Sequence, residues 1–520
     1  MQVHKLPFEK TGFFSRLFLD YLNKKNGLEK FYDLYPLQEN FLKKARSLKF
    51  PEGKRKVLHA ELLKQYETFT VTSNTKSNIE ALLHPNTFTI TTGHQLNIFT
   101  GPLYFILKIV TVIKAAEQLN QSQNEIKFVP VYWMATEDHD VEEINHFYLF
   151  NKKLTWNTSE KGPVGKFSTA GFEQLFPEIK DKLPLFEKAY LEHKTLAEAS
   201  RYIVNELFGD KGLIVIDGDS KGLKSQCKDL FKDELSNNVS FNNVKTLTEE
   251  LTNCGYGGQV YPREINLFYM EKGLRERIIK EDGLYKVNNT DLKFSEKEIE
   301  SLLENNVEKI SPNVVLRPVY QELILPNVAY CGGPAELSYW LQLKTLFDHY
   351  KIDFPILLPR AFSMVIPRTI CSKVAKLKLS WEELFEDEQK LKEKIISGTS
   401  ENDYKLEAEE QEVDVLFEKI KRKASTIDPT LEAYVLAEGQ KVKKALEQIE
   451  KRLKKAEEQK HEVLISQLSN IKSKLFPEGQ LQERRDNYLN FSLSNPSFIS
   501  QLFQYIDPFD YRFNILVEDE

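Results

Sequence analysis

FVPVYWMATEDHDVEEINH, residues 128–146, begins as an unbroken apolar run and ends in a cluster of acids. Residues 128–135 carry the aromatic and β-branched side chains of a strand buried on both faces, the kind a parallel sheet contains. Within two residues the chain turns to Glu137, Asp138, His139 and Asp140, with Glu142 and Glu143 just behind. In an open α/β sheet, ligands bind beyond the carboxyl ends of the strands. The acids therefore either face water as an ordinary loop or line a site.

Other segments repeat the pattern. TFTITT (87–92) is β-rich, breaks at Gly93, and resumes after Pro102 as a helix to about Leu119. GLIVIDGDS (212–220) is an apolar burst ending in Asp217, Gly218 and Asp219, and FPILLPRAFSMVI (354–366) is apolar and punctuated by prolines. Residues 11–50 and 54–84 show apolar positions at three- and four-residue intervals, a helical period. Buried-type strands separated by helices predict an α/β layer with a largely parallel sheet. Residues 152–194 and 282–306 are polar and less periodic, and are expected to be inserts.

From Trp381 the composition shifts to Lys, Glu, Leu and Gln. Val442, Leu446, Ile449, Leu453, Ala456 and Val463 follow alternating four- and three-residue steps, with Lys460 at the missing step. Leu464, Leu468, Ile471 and Leu475 continue the stripe after a slip. An apolar seam between charged flanks predicts a coiled coil. An earlier helix, at about 403–422, can pair with it across STIDPT, and the seam serves an intramolecular hairpin or a dimer contact. The expected division is a core over 1–380, a helical coiled-coil domain over 381–480, and an aromatic-rich tail over 481–520 that returns to the core.

Bulk properties narrow the class. A chain of 520 residues with 41% hydrophobic and 28% charged content fits a soluble protein of more than one folded unit. The formal charge of −6 gives no reason to expect a nucleic-acid or anionic-membrane partner. Four cysteines without CxxC spacing suit a reduced compartment, and no 18-residue apolar run occurs, so a cytoplasmic protein is expected.

Three segments could carry chemistry. In TTGHQLNIFTGP, Gly93, His94, Gln95, Asn97, Thr100 and Gly101 lead into a helix whose first amides can hold an anion, with Lys108 adding positive charge; the plain alternative is a capped glycine turn. The acid cluster can bind a metal, orient an amine or a sugar hydroxyl, or supply a general base; the plain alternative is a solvated loop. In RPVYQELILPNVAYCGGPAELSYW, Gly332 and Gly333 allow backbone to approach a ligand, and Glu336 opens a helix. Arg317 and Glu322 are ionisable groups in apolar surroundings there. Cys331 is either a nucleophile or, more simply, a small core residue.

TGHQLNIFTGPLYFILK, VPVYWMATEDHDVEEINH, VLRPVYQELILPNVAYCGGPAELSYWLQL and LQERRDNYLNF, in that order, resemble the bacillithiol-biosynthesis cysteine-adding family, BshC. The resemblance spans nearly the whole chain. It implies a Rossmann-type core with two connecting inserts and a coiled-coil domain supporting a homodimer. The implied reaction joins the carboxyl of L-cysteine to the amine of glucosaminyl-malate, with ATP activating the carboxyl and no metal. Glu137, Asp138, His139 and Asp140 are then the expected catalytic acids and bases, and the Gly93–Gly101 turn the ATP loop. The substrate-binding set expected is Lys108, Trp133, Asn145, Arg317, Glu322, Tyr330, Gly332, Gly333, Glu336 and Arg360. Two other classes stay open from the residues alone: a metal-dependent hydrolase using His94, His139 and His146, and a non-catalytic nucleotide-binding scaffold.

Overall fold

In the computed structural model, which describes residues 1–399 and 405–519, the centre is a five-stranded parallel sheet. Its strands are β1 (Thr87–His94), β2 (Lys127–Met134), β3 (Ile214–Asp217), β4 (Asn327–Gly332) and β5 (Ile356–Pro359). They lie side by side as β5-β4-β1-β2-β3, all parallel. This is the 3-2-1-4-5 order of a doubly wound Rossmann-type sheet, and the order reverses between β1 and β4.

The register brings the carboxyl ends to one rim. His94 pairs with Met134, Met134 with Asp217, Thr92 with Cys331, and Gly332 with Pro359. Every residue of β4 and β5 is buried, as is β2 apart from its first residue, because helices cover both faces. The helix after β1, Tyr104–Ser122, has twelve buried residues and packs against β1 and β2.

The run at 354–366 is not one strand. Arg360 stands between β5 and a separate strand, Ser363–Ile366, which pairs in parallel with Phe513–Val517 at the end of the chain. Phe513–Val517 pairs in turn with Gln2–Leu6, so a three-stranded sheet ties the two ends of the chain together.

The second insert is larger than 282–306 and is mostly antiparallel sheet. Leu267–Glu271 and Leu274–Glu281 form a hairpin, followed by Leu284–Val287 and Lys293–Phe294, and Ile310–Pro312 pairs back onto the first strand. Its two tight turns place Gly273 and Gly283 at positive φ, which glycine adopts without steric cost.

Beyond the core, Glu407–Ile427 and Leu431–Lys460 pack as a helical hairpin, with Phe417 against Gly439 and Lys443 on Asp414 at 2.6 Å. Helix Glu407–Ile427 buries no residue completely, and Val442, Ile449 and Leu453 on the partner helix are more than a third exposed. The start of the earlier helix expected at 403 lies outside the described residues. Among the described residues no helix is long and apolar enough to cross a membrane.

Candidate active site

The loops leaving β1, β2 and β4 meet where the strand order reverses, around a cavity of about 670 Å³. Gly93, Asp138 and Gly333, far apart in sequence, all line it. So do His94, Gln95, Lys108, Trp133, Glu137, Arg317, Glu336 and Arg360. The volume suits a small-molecule site, and the strand reversal is where such folds place one.

Most of the acids are already engaged. Glu336 Oε2 meets Lys108 Nζ at 2.6 Å and accepts from the Gly333 amide at 2.9 Å, while its Oε1 accepts from Tyr330 at 2.8 Å. Burial pushes the Glu336 carboxyl up, but Lys108 and the two hydrogen bonds outweigh it and hold the group at about 2. Glu137 Oε1 meets the fully buried Lys224 at 2.6 Å, and Lys224 reaches Asp219 at 2.8 Å. Burial lowers Lys224, yet the two carboxylates keep it above its ordinary value. Glu137 is therefore held in an ion pair, not poised as a free base.

Asp138 is different. Its Oδ2 accepts from Gln95 Nε2 at 2.8 Å and its Oδ1 from the His139 amide at 2.7 Å, and it forms no close pair with Lys or Arg. Neutral donors hold this carboxylate at the cavity wall.

His139 does not line the cavity. Its Nδ1 meets Arg275 Nη1 at 2.7 Å. A guanidinium only donates, so Nδ1 accepts and the ring proton sits on Nε2. Burial and the Arg275 charge hold the imidazole below its ordinary value. Asp140 is exposed and also lies off the cavity.

The ATP loop expected at Gly93–Gly101 is divided by the structure. His94 and Gln95 face the cavity, but Asn97 and Thr100 line a separate small cleft, where Asn97 Oδ1 and Thr100 Oγ1 lack hydrogen-bond partners. Phe99, Thr100 and Gly101 all have positive φ, with non-glycine strain at the first two. Asn487 of the RRDN segment clamps this turn, donating to Phe99 O at 2.7 Å and Gly101 O at 2.6 Å. Four amides of the turn and helix start are already bonded: Phe99 to Tyr190, Gly101 to Ile98, Leu103 to Asp486 and Phe105 to Pro102. His94 Nε2, by contrast, has no partner, and burial together with Lys108 lowers the imidazole to about 3. His94 is a neutral group with one buried, unpartnered nitrogen.

Several expected substrate contacts lie elsewhere. Glu322 sits at the opposite end of β4, taking hydrogen bonds from Gln321 and Asn327, and burial raises it to about 8. Asn145 bonds His146 on a hairpin away from the cavity. Tyr330 backs the wall through Glu336. Gly332 serves packing, since a Cβ there would stand 3.0 Å from Glu336 and 3.1 Å from Tyr330. Lys108 and Arg360 line the cavity with their charges matched, Arg360 by Glu483 at 2.6 Å. Cys331 is fully buried and burial pushes its thiol far up, as for a core residue.

The insert supplies what the sequence reading missed. Phe268, Arg275 and Arg277 line the cavity from the antiparallel sheet, Arg263 from the loop before it, and Arg484 from the tail. The hairpin turns EKG and EDG, flanking alternating residues, were the available signal for that sheet.

His94, His139 and His146 do not assemble. Among the described residues no three His, Cys, Asp or Glu side chains come together to hold a metal ion. The hydrolase alternative is not favoured.

The family model described as "Bacillithiol biosynthesis BshC, N-terminal Rossmann-like domain" matches residues 1–361, and "Bacillithiol biosynthesis BshC, C-terminal coiled-coil domain" matches 363–518. Proteins named "Putative cysteine ligase BshC" align along nearly their whole length. The Flavobacterium psychrophilum protein is 43% identical, covering 98% of both chains. That of Cytophaga hutchinsonii is 40% identical over 97% of both. That of Flavobacterium johnsoniae is 40% identical over 98% of this chain and 99% of its own.

Proposed function

The chain belongs to the BshC family of bacillithiol biosynthesis, and from that membership we propose that it is a cytoplasmic ligase joining the carboxyl of L-cysteine to the amine of glucosaminyl-malate. One observation carries the reading to the site: Asp138, free of a cationic partner, shares a cavity with a surplus of guanidinium groups. That pairing suits a substrate with an ammonium at one end and carboxylates at the other.

Forming an amide from a carboxylate is uphill in water, so the carboxyl must be activated. ATP, when bound, supplies that activation by giving the cysteine carboxyl a phosphate-based leaving group. His94, with its buried and unpartnered Nε2, and Arg484, with no carboxylate beside it, are the cavity residues suited to the phosphates. Asp138 accepts a hydrogen bond from the glucosamine ammonium, orients it and takes one proton, which frees the nitrogen lone pair to attack the acyl carbon; the phosphate-based group then leaves and the nitrogen's second proton passes to solvent. Gln95 and the His139 amide fix the carboxylate for that transfer.

We also read the helical hairpin as a homodimer contact, because Val442, Ile449 and Leu453 form a half-open apolar stripe. Molar mass by light scattering tests this: the dimer mass should fall to the monomer in a Val442→Glu/Leu453→Glu variant.

The test of the ligase is turnover. Purified full-length protein given L-cysteine, glucosaminyl-malate and ATP should yield bacillithiol with stoichiometric AMP or ADP. Conversion of ATP without any cysteine-containing product would rule the reaction out.

A further inference from the structure

The cavity's charges do not balance. Glu137, Glu336, Lys108 and Arg360 each sit in a close ion pair. Among the described residues, Arg263, Arg275, Arg277, Arg317 and Arg484 have no carboxylate within 4 Å, yet all line the cavity, where Asp138 is the acid without a cationic partner. Unpaired guanidinium groups gathered in one cavity call for an anion.

Their placement is specific. Arg275 and Arg277 are two apart on strand Leu274–Glu281, so both project from the face turned to the cavity, about 7 Å apart along the strand. Phe268 pairs with Arg277 in register, and its ring carries the Arg275 guanidinium at 4.1 Å. Arg275 donates to neutral acceptors, His139 Nδ1 at 2.7 Å, Ser311 Oγ at 3.2 Å and Pro312 O at 3.4 Å, while Glu137, Asp138 and Asp219 act on its charge from beyond 4 Å. Opposite, Arg317 starts the helix that follows the insert; its Nη2 donates to Tyr339 at 3.0 Å, and its buried Nη1 has no aligned partner.

We propose that this arginine cluster, built on Arg275 and Arg277 of the insert with Arg263 and Arg317, is a dicarboxylate subsite that holds the malate end of the substrate. The identity of the dicarboxylate rests on the ligase reading; the anion subsite rests on the geometry alone. Two forked donors a strand repeat apart match two carboxylates on a short carbon chain, each accepting in a bidentate manner. His139 takes part as a positioning residue: kept neutral, it aims Arg275 without cancelling its charge. Asp138 comes from the loop after β2 and Arg275 and Arg277 from the insert, so two different segments of the chain meet the substrate's two ends. A sugar amine lacking the two carboxylates would find no hold there, so the insert sets the enzyme's preference for a malate-bearing acceptor.

The test is calorimetric titration of the full-length protein with L-malate, succinate, propionate and inorganic triphosphate. Wild type should bind malate and succinate, with propionate at least tenfold weaker. Arg277→Gln, which breaks no side-chain bond seen in the fold, and Arg263→Gln, at an exposed position, should each weaken malate at least tenfold and leave triphosphate within twofold. Malate affinity unchanged in both variants, or a loss confined to triphosphate, would overturn the proposal. Wild-type turnover separates this from the ligase reading. Product formed while both variants keep full malate affinity removes the arginine wall alone. Malate binding that depends on Arg277, without turnover on any acceptor, supports the wall and removes the ligase reading alone.

Discussion

Lys108 and Glu336 meet at 2.6 Å beneath the point where the strand order reverses, and Lys108 also donates to the Gly93 carbonyl at 2.9 Å. One buried pair thereby fastens the end of β1 and the helix after it to the helix after β4. Glu336→Gln should leave Lys108 charged and unmatched and cost about 3–5 kcal/mol of stability. Lys108→Met combined with Glu336→Leu should cost far less, because no orphaned charge remains. Chemical denaturation of the two variants checks the contrast.

Asp138→Asn should lower kcat by roughly 10²–10⁴-fold with a smaller change in KM, the effect of losing a general base. Asp140→Asn, at an exposed position off the cavity, should leave kcat within about twofold, since surface changes away from a site are close to neutral. Steady-state kinetics of the pair separates one acid from the other in a cluster that reads as uniform.

Much of the frame was legible before the structure. Hydrophobic bursts followed by polar loops identify the parallel strands, and heptad spacing identifies the hairpin, because burial and period leave direct marks on sequence. Roles inside the acid cluster left none. Lys224, which neutralises Glu137, lies 87 residues further on in an unremarkable helix, and Glu322 reads as a site residue although it sits at the wrong end of β4. The arginine wall escaped for a related reason. Arg275 and Arg277 flank Glu276 on a half-exposed antiparallel strand, where charge is ordinary and only tertiary placement turns them toward the cavity.

His94 makes the fold acid-sensitive. Its imidazole protonates near 6.5 in the unfolded chain but only at about 3 in the fold. Between those values the unfolded state binds more protons, so stability falls as pH drops from 6.5 toward 3. His94→Gln should flatten that slope by up to about 1.4 kcal/mol per pH unit. Glu336, held near 2 against an ordinary 4.5, loses its contribution only as pH falls from 4.5 toward 2. His139, His146, Asp217, Asp486 and Glu322 are shifted in the same range, so the difference in urea midpoint between wild type and His94→Gln, followed from pH 5 to 6.5, isolates His94.

The most direct measurement is a crystal structure of the protein with glucosaminyl-malate bound. The account predicts the glucosamine nitrogen within hydrogen-bond distance of Asp138 and the malate carboxylates on Arg275 and Arg277. Ligand seated on another face, or turned so that the carboxylates meet Asp138, would contradict it.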